Sequence, residues 1–85
     1  MYEVRYSKRV AKFLVKCDAY IFEKFQSQVK LLAENPSCNS LDIKSLKNSS
    51  CYRLRIGKYR FLYEIIDQQM IIYFVKADSR GGVYK

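Results

Sequence analysis

Three arginines on two neighbouring predicted strands have the type and spacing to bind phosphate. Residues 51–66 alternate like two strands joined by a two-residue turn at 57–58, where glycine in the first position favours a type II′ hairpin. That turn places Arg55 opposite Arg60 and puts Arg53 on the same face. Like charges directly opposite each other oppose strand pairing by roughly 0.2–1 kcal/mol. We call this surface the arginine face. We expect an anion to bind there, because the planar guanidinium group of arginine matches the oxygens of phosphate.

The other face of the hairpin is apolar and predicts the core. Its side chains are Tyr52, Leu54, Ile56, Tyr59, Phe61, Tyr63 and Ile65. A last strand at 70–76 is expected to extend both faces. Its core-facing residues are Met70, Ile72 and Phe74, and those on the arginine face are Ile71, Tyr73 and Val75. The arginine face is thus half apolar, which suits cover by a partner or by another part of the chain.

The first half of the chain predicts the helices that cover this core. A short strand at 2–6 leads to Ser7, a good helix N-cap, and apolar residues then recur at helical spacing to about Cys17. Asp18 can cap a second helix over 19–34. The polar, serine-rich stretch that follows, up to the hairpin, predicts a loop.

This order of elements, β-α-α-β-β-β, predicts one α+β domain over residues 1–85, with an antiparallel sheet packed on a two-helix hairpin. Hydrophobic residues make up 49% of the chain and aromatic residues make up 15%. This composition indicates a folded core and not a disordered chain.

Charge and cysteine content narrow the possible functions. Sixteen Lys and Arg against eight Asp and Glu give a net charge of +8, which favours a polyanionic partner, although a solvated basic surface remains the alternative. Three cysteines and no histidine argue against a zinc site, a disulfide framework and an activated catalytic thiol, so no cofactor is expected. The chain shows neither a signal peptide nor a membrane span, which indicates a cytoplasmic protein.

The second half of the chain resembles the RelE/ParE superfamily of toxins from bacterial toxin–antitoxin systems. The shared motifs are a tyrosine–basic–x–basic strand at 52–55, a Gly-x-Tyr-Arg turn at 57–60, a Tyr-Glu-hydrophobic run at 63–65, and an arginine followed shortly by Val-Tyr within 80–84. The β-α-α-β-β-β order matches over essentially the whole chain, so the resemblance implies a RelE-like fold.

The resemblance also implies a function and a set of site residues. RelE-type members cleave mRNA, typically in the ribosomal A site, and are neutralised by an antitoxin, here a RelB-like partner with an acidic segment. Their active-site basic residues before the turn correspond to Arg53 and Arg55, and the arginine after the turn corresponds to Arg60. The terminal arginine corresponds to Arg80 and the Val-Tyr tyrosine to Tyr84.

These residues can support RNA cleavage without a metal, in which the 2′-hydroxyl attacks the neighbouring phosphate. Arg55, Arg60 and Arg80 can clamp the scissile group and stabilise its developing charge, with Arg53 on an adjacent phosphate. RelE itself has lysines in place of the two arginines before the turn. Because arginine does not readily release a proton, we expect both to stabilise charge and not to transfer protons.

The general base has two candidates. Tyr84 is the first, since a clustered positive field lowers the pKa of a phenol. Glu64 is the second, because its parity places it on the arginine face, where a salt bridge to Arg53 or Arg60 is the alternative interpretation. Tyr84 can also simply pack the last strand, and Arg80 can pair with the nearby Asp78.

Other side chains are candidate RNA contacts. They are Lys8, Arg9, Lys12, Lys58, Tyr73 and Lys76. The cations of the first helix can hold ribosomal RNA backbone or form an ordinary solvated face. Tyr73 can stack on a base or pack on the antitoxin, or it can be a half-buried strand aromatic.

Two other functions remain open. A ParE-like toxin inhibits gyrase without nuclease activity, and an inactive member of the superfamily only binds its antitoxin. The basic residues at positions 53, 55, 60 and 80 favour the nuclease. The fold itself does not separate these functions, because function depends on the site.

Overall fold

Five strands and two helices make up the protein over residues 1–37, 40–46 and 49–79, which are those that the computed structural model describes. In chain order they are β1 (Glu3–Tyr6), α1 (Lys8–Lys16), α2 (Ala19–Glu34), β2 (Ile43–Ser45), β3 (Cys51–Ile56), β4 (Tyr59–Ile66) and β5 (Ile71–Ser79). A single 3₁₀ turn, Asp67–Gln69, joins β4 to β5. The two helices pack against one face of the sheet, which confirms the α+β prediction.

Both helices begin at the caps that the sequence predicts. The Ser7 hydroxyl accepts a hydrogen bond from the Val10 backbone N–H at 3.2 Å, and a carboxylate oxygen of Asp18 accepts one from the Ile21 N–H at 2.9 Å. Each side chain thereby satisfies one of the backbone donors that a helix start leaves unpaired. The second helix has the predicted bounds, Ala19–Glu34.

The sheet has the strand order β1-β5-β4-β3-β2 and is mixed. Neighbouring strands from β2 to β5 are antiparallel, but β1 runs parallel to β5, with Glu3 opposite Ile71 and Tyr6 opposite Phe74. The prediction of a wholly antiparallel sheet is therefore wrong at this edge. The alternation of side chains indicates which face of a strand is buried. The neighbour of β1 and its direction depend instead on its pairing with a segment 68 positions away.

Part of the predicted loop between α2 and the hairpin is a strand. Strand β2 pairs antiparallel with β3, with Ile43 opposite Leu54, and Ile43 packs against the core. Without it, β3 would be an edge strand with a row of unpaired backbone donors and acceptors. A three-residue strand is too short to produce a recognisable alternation, so the polar composition of its surroundings predicted a loop instead.

A β-bulge in β5 changes which of its residues face the arginines. Tyr63 pairs with Phe74, but the preceding Leu62 pairs with Lys76, so Val75 is the extra residue. Beyond the bulge, Asp78 lies opposite Arg60 on the arginine face. A strand without the bulge would have turned residues 76 and 78 toward the core.

The start of β5 also differs from the prediction. Met70 was expected to continue the core, but it ends the 3₁₀ turn in the left-handed conformation, with φ of 54°, and its side chain is 47% exposed. The strand therefore begins at Ile71, and its first fully buried residue is Ile72.

The core lies between the helices and the predicted apolar face of the hairpin. Its centre is Phe25, which is fully buried and has its ring centroid 4.4 Å from that of Phe61 and 5.2 Å from that of Phe74. The hairpin contributes Leu54, Ile56, Phe61 and Tyr63 as buried residues. The helical layer and the arginine face are consequently on opposite sides of the sheet.

Candidate nucleic-acid interface

The hairpin holds the arginines in the register that the turn predicts. Arg55 lies opposite Arg60, and Arg53 lies opposite Leu62. Gly57 has φ of +60°, as the first position of a type II′ turn requires, and only glycine adopts this conformation without strain. The ladder of β3 and β4 therefore fixes two guanidinium groups directly across from each other, next to the turn.

A carboxylate that the sequence did not reveal lies beside the arginines of β3. The two oxygens of Asp42 contact Arg53 Nη2 at 3.0 Å and Arg55 Nε at 2.9 Å. The Asp42 carbonyl also accepts a hydrogen bond from the Arg55 backbone N–H at 3.0 Å. Asp42 immediately precedes β2, so the strand that replaces the predicted loop is what brings it to the site.

A second carboxylate approaches from β5, on the other side of the hairpin. Asp78 has one oxygen 4.0 Å from Arg60 Nε and the other 3.7 Å from Lys76 Nζ. The bulge at Val75 places both Asp78 and Lys76 here. One alternative for Arg60 was a salt bridge with Glu64, whose carboxylate lies 4.0 Å from the Cys51 thiol.

The resulting surface keeps an excess of positive charge. Each carboxylate contacts two cations, so each group of three retains one net positive charge. The carboxylate of Asp42 is 47% exposed and the side chain of Arg55 is 50% exposed. Ion pairs with this exposure contribute at most about 1 kcal/mol each. An incoming anion can therefore compete with them for the guanidinium groups.

The structure brings together only some of the predicted site residues. Arg53, Arg55, Arg60 and Lys76 share one face, and Lys58 lies at the adjoining turn with its Nζ 5.8 Å from the centre of the Tyr59 ring. Arg80 and Tyr84 lie outside the described residues.

Two other groups of candidates lie apart from the arginine pair. Lys8, Arg9 and Lys12 are exposed on α1, in the helical layer, and so do not join the arginine face. Tyr73 is on the arginine face, half-buried opposite Glu64. Glu64 itself is four residues along β4 from Arg60, a separation of about 13 Å in a strand. It is too distant to act on a phosphate held by the arginine pair.

The thiol of Cys17 is not activated as a nucleophile. Burial, followed by the negative charge of Asp18, raises the pKa of the Cys17 thiol above its usual value, so the thiol stays protonated. No group of three or more His, Cys, Asp or Glu suited to a metal ion occurs within residues 1–37, 40–46 and 49–79. In the same ranges, no helix has the length and apolar character to cross a membrane.

On the same face, at the β1 edge, Glu3 and Arg5 form a separate exposed ion pair at 2.8 Å. The hydrogen bond and the charge of Arg5 lower the pKa of the Glu3 carboxyl. This pair is four strand positions from β2, roughly 19 Å at the usual strand spacing. It provides an arginine and a carboxylate for comparison with those of the candidate site.

Comparisons with known proteins agree with this fold. The family described as the ParE toxin of type II toxin–antitoxin systems, parDE, matches residues 4–84. A protein assigned as the toxin RelE1 of Methanocaldococcus jannaschii is 37% identical over 99% of this chain and 96% of its own length. The structure is also similar to that of the archaeal RelE-RelB complex from Pyrococcus horikoshii OT3, with a TM-score of 0.82 and 26% identity over 96% of this chain and 98% of that one.

A second solved structure shows the same similarity. The RelB-RelE antitoxin-toxin complex from Methanococcus jannaschii has a TM-score of 0.79 and 25% identity, over 94% of each chain. Together with the family match over nearly the whole sequence, these similarities establish that the chain belongs to the RelE/ParE superfamily of toxins from type II toxin–antitoxin systems.

Proposed function

We propose that this protein is an endoribonuclease that cleaves ribosome-bound mRNA by attack of the RNA 2′-hydroxyl on the adjacent phosphate. The observation that carries the proposal is the pairing of Arg55 with Arg60 across the hairpin. Two permanent cations in this register repel each other, and although each contacts a carboxylate, both groups keep a net positive charge. A phosphodiester can compete with these carboxylates for the arginines, and its charge increases during cleavage.

In this mechanism the arginines act as fixed charges. The 2′-oxygen forms a bond to phosphorus while the P–O5′ bond breaks, which leaves a 2′,3′-cyclic phosphate and a 5′-hydroxyl that takes its proton from water or from a group of the ribosome. As negative charge builds on the two non-bridging oxygens, N–H groups of Arg55 and Arg60 donate hydrogen bonds to them. Arg53, only 20% exposed, holds the neighbouring phosphate and sets the position of the strand. We assign the remaining cation of the clamp to Arg80 and the general base to Tyr84, following their correspondence to the family motif.

The proposed protein partner is a RelB-like antitoxin. Two similar structures are described as RelE-RelB complexes, and this chain carries a net charge of +8. An acidic segment of the antitoxin that contacts the arginine face would neutralise the groups assigned to RNA binding. We propose that the toxin acts in the cytoplasm, where mRNA and ribosomes are found.

The test is an in vitro translation reaction in which primer extension maps cuts in the message. We expect Arg55→Ala and Arg60→Ala each to reduce the cleavage rate about 10²- to 10³-fold, the usual effect of removing one donor to a developing oxyanion. Arg5→Ala is the matched control, because Arg5 is an exposed, ion-paired arginine of the β1 edge. It should cut at the wild-type rate.

Thermal melts of all variants establish that the fold is retained. Unchanged cleavage in both hairpin variants would contradict the assignment of the arginine pair.

Inhibition of gyrase is the second candidate function. It is favoured by the match to the ParE description over residues 4–84. A DNA supercoiling assay distinguishes the two functions, since inhibition of supercoiling without cuts in the message would select the gyrase inhibitor. Absence of both activities, with antitoxin binding retained, would identify an inactive member of the superfamily.

A further inference from the structure

The carboxylate of Asp42 binds two guanidinium groups in the way that a phosphate of the RNA backbone would. One oxygen contacts Arg53 at 3.0 Å and the other contacts Arg55 at 2.9 Å. A phosphodiester also presents two terminal oxygens that share one negative charge, and arginine binds both kinds of group through N–H donors. The donors that Asp42 uses are thus ones that a phosphate on β3 would need.

Asp42 can leave these positions without a change in the fold. Its backbone carbonyl remains bonded to the Arg55 N–H, so only the side chain has to rotate. The carboxylate is about half exposed, and rotamer changes of exposed side chains take picoseconds to nanoseconds. Exchange with an anion from solution is therefore fast compared with RNA binding.

From this geometry we infer that Asp42 is an internal counter-ion, which competes with an RNA phosphate for Arg53 and Arg55 and so sets the affinity of the site. The inference rests on the proposed function, because it assumes that the arginine face binds RNA. In the free protein Asp42 relieves repulsion between the two arginines. In the complex a phosphate replaces it, and the affinity for RNA is lower than the arginines alone would provide.

The variant that tests this is Asp42→Asn, which keeps the shape of the side chain but removes its charge. We expect it to bind single-stranded RNA about 2- to 30-fold more tightly, as the loss of two partly exposed ion pairs with the competitor predicts. The plot of log K against log salt should also become steeper, by up to about 0.7, because the variant site carries one more net positive charge.

The probe is a fluorescent oligonucleotide with 2′-O-methyl riboses, which lacks the attacking hydroxyl and so reports binding without cleavage. Anisotropy is measured at several salt concentrations around 0.1 M, where charges more than about 10 Å apart are largely screened. Glu3→Gln is the matched control, because it also removes one carboxylate from an exposed arginine pair, at the opposite edge of the sheet. It should leave the affinity unchanged.

A background lacking both arginines completes the experiment. In Arg53→Ala/Arg55→Ala, the substitution Asp42→Asn should no longer increase affinity, because the groups for which Asp42 competes are gone. Equal gains from Asp42→Asn and Glu3→Gln would overturn the inference, since they would reflect net charge alone. Weaker or unchanged binding by Asp42→Asn would also overturn the inference. A gain in RNA affinity that persists in the double-alanine background would overturn it as well.

Failure of the inference and failure of the proposed function give different results. If the wild type binds RNA through its arginines and cuts messages, but Asp42→Asn gains nothing, only the counter-ion role is wrong. If Asp42→Asn gains affinity and neither protein cuts any message, the nuclease proposal is wrong and the counter-ion role stands. If neither protein binds the probe, the counter-ion role is overturned, and the cleavage of messages in the translation reaction decides the proposed function.

Discussion

The hydroxyl of Tyr63 is buried without a hydrogen-bond partner among the described residues, and we predict that Tyr63→Phe stabilises the protein. Leaving a buried hydroxyl unpaired costs roughly 1–3 kcal/mol. Phenylalanine retains the ring, whose centroid lies 5.1 Å from that of Phe74 and 5.5 Å from that of Tyr52. We expect the free energy of unfolding to increase by about 1 kcal/mol, which raises Tm by roughly 4–8 °C in a domain of this size.

The same substitution should change the response to alkaline pH. Burial, and then the charge of the neighbouring Tyr52, raises the pKa of Tyr63 in the folded state above its ordinary value of 10.0. In the unfolded chain this tyrosine ionises near pH 10, whereas in the folded state it stays protonated to higher pH. The free energy of unfolding of the wild type is therefore unaffected by this group below pH 10 and falls as the pH rises above 10. The decline is about 1.4 kcal/mol per pH unit until the folded pKa is reached.

Urea denaturation followed by circular dichroism, at pH 7, 9 and 11, measures both effects. The advantage of Tyr63→Phe over the wild type should be constant up to pH 9 and larger by roughly 1.4 kcal/mol at pH 11. Tyr20→Phe is the control, because Tyr20 is 65% exposed and its substitution should change stability by less than about 0.5 kcal/mol. A loss of 1 kcal/mol or more in Tyr63→Phe at pH 7 would refute the reasoning, since it would mean that the hydroxyl has a partner.

Two further substitutions test the packing and the backbone. Phe25→Ala should destabilise the protein by about 3–5 kcal/mol, because it empties the centre of the core between Phe61 and Phe74; a loss below 1 kcal/mol in urea denaturation would contradict the packing described. Met70→Gly should increase stability by about 1 kcal/mol, because Met70 has φ of 54° and its half-exposed side chain contributes little burial. A lower Tm for the glycine variant would indicate that this side chain makes contacts worth more than the strain.

The sequence predicts those parts of the fold that depend on local chemistry. The hairpin follows from Gly57 and from alternation with a period of two, and both together determine that Arg55 lies opposite Arg60. The helices follow from Ser7 and Asp18, whose caps form as expected. In each case the residues that decide the structure are within a few positions of the element that they specify.

The remaining features depend on pairings between distant segments. Nothing around Val75 marks a bulge, because the extra residue is needed only to align β5 with β4. The direction of β1 and the presence of β2 also depend on distant segments, because these strands pair with the free edges of β5 and β3. A sequence pattern therefore predicts the faces of these strands but not their neighbours.

The same distinction explains what was missed at the candidate site. The cations were identified from the hairpin alone. Their counter-ions were not, because Asp42 is in a segment predicted as loop and Asp78 lies beyond residue 76, where the last strand was predicted to end, whereas β5 continues to Ser79. A salt bridge with Glu64 was one alternative for Arg53 and for Arg60; the structure shows Arg53 in contact with Asp42 and Arg60 near Asp78.

The parallel pairing of β1 with β5 has a consequence for synthesis of the protein. Glu3 is incorporated into the growing chain long before Ile71, yet these two residues are partners in the sheet. Until β5 has been translated, β1 has no strand to join, and the edge of the hairpin that β5 covers stays open. Native contacts of such long range also slow folding. A newly made chain of this kind completes its sheet only after β5 has been translated, which delays the appearance of a folded toxin.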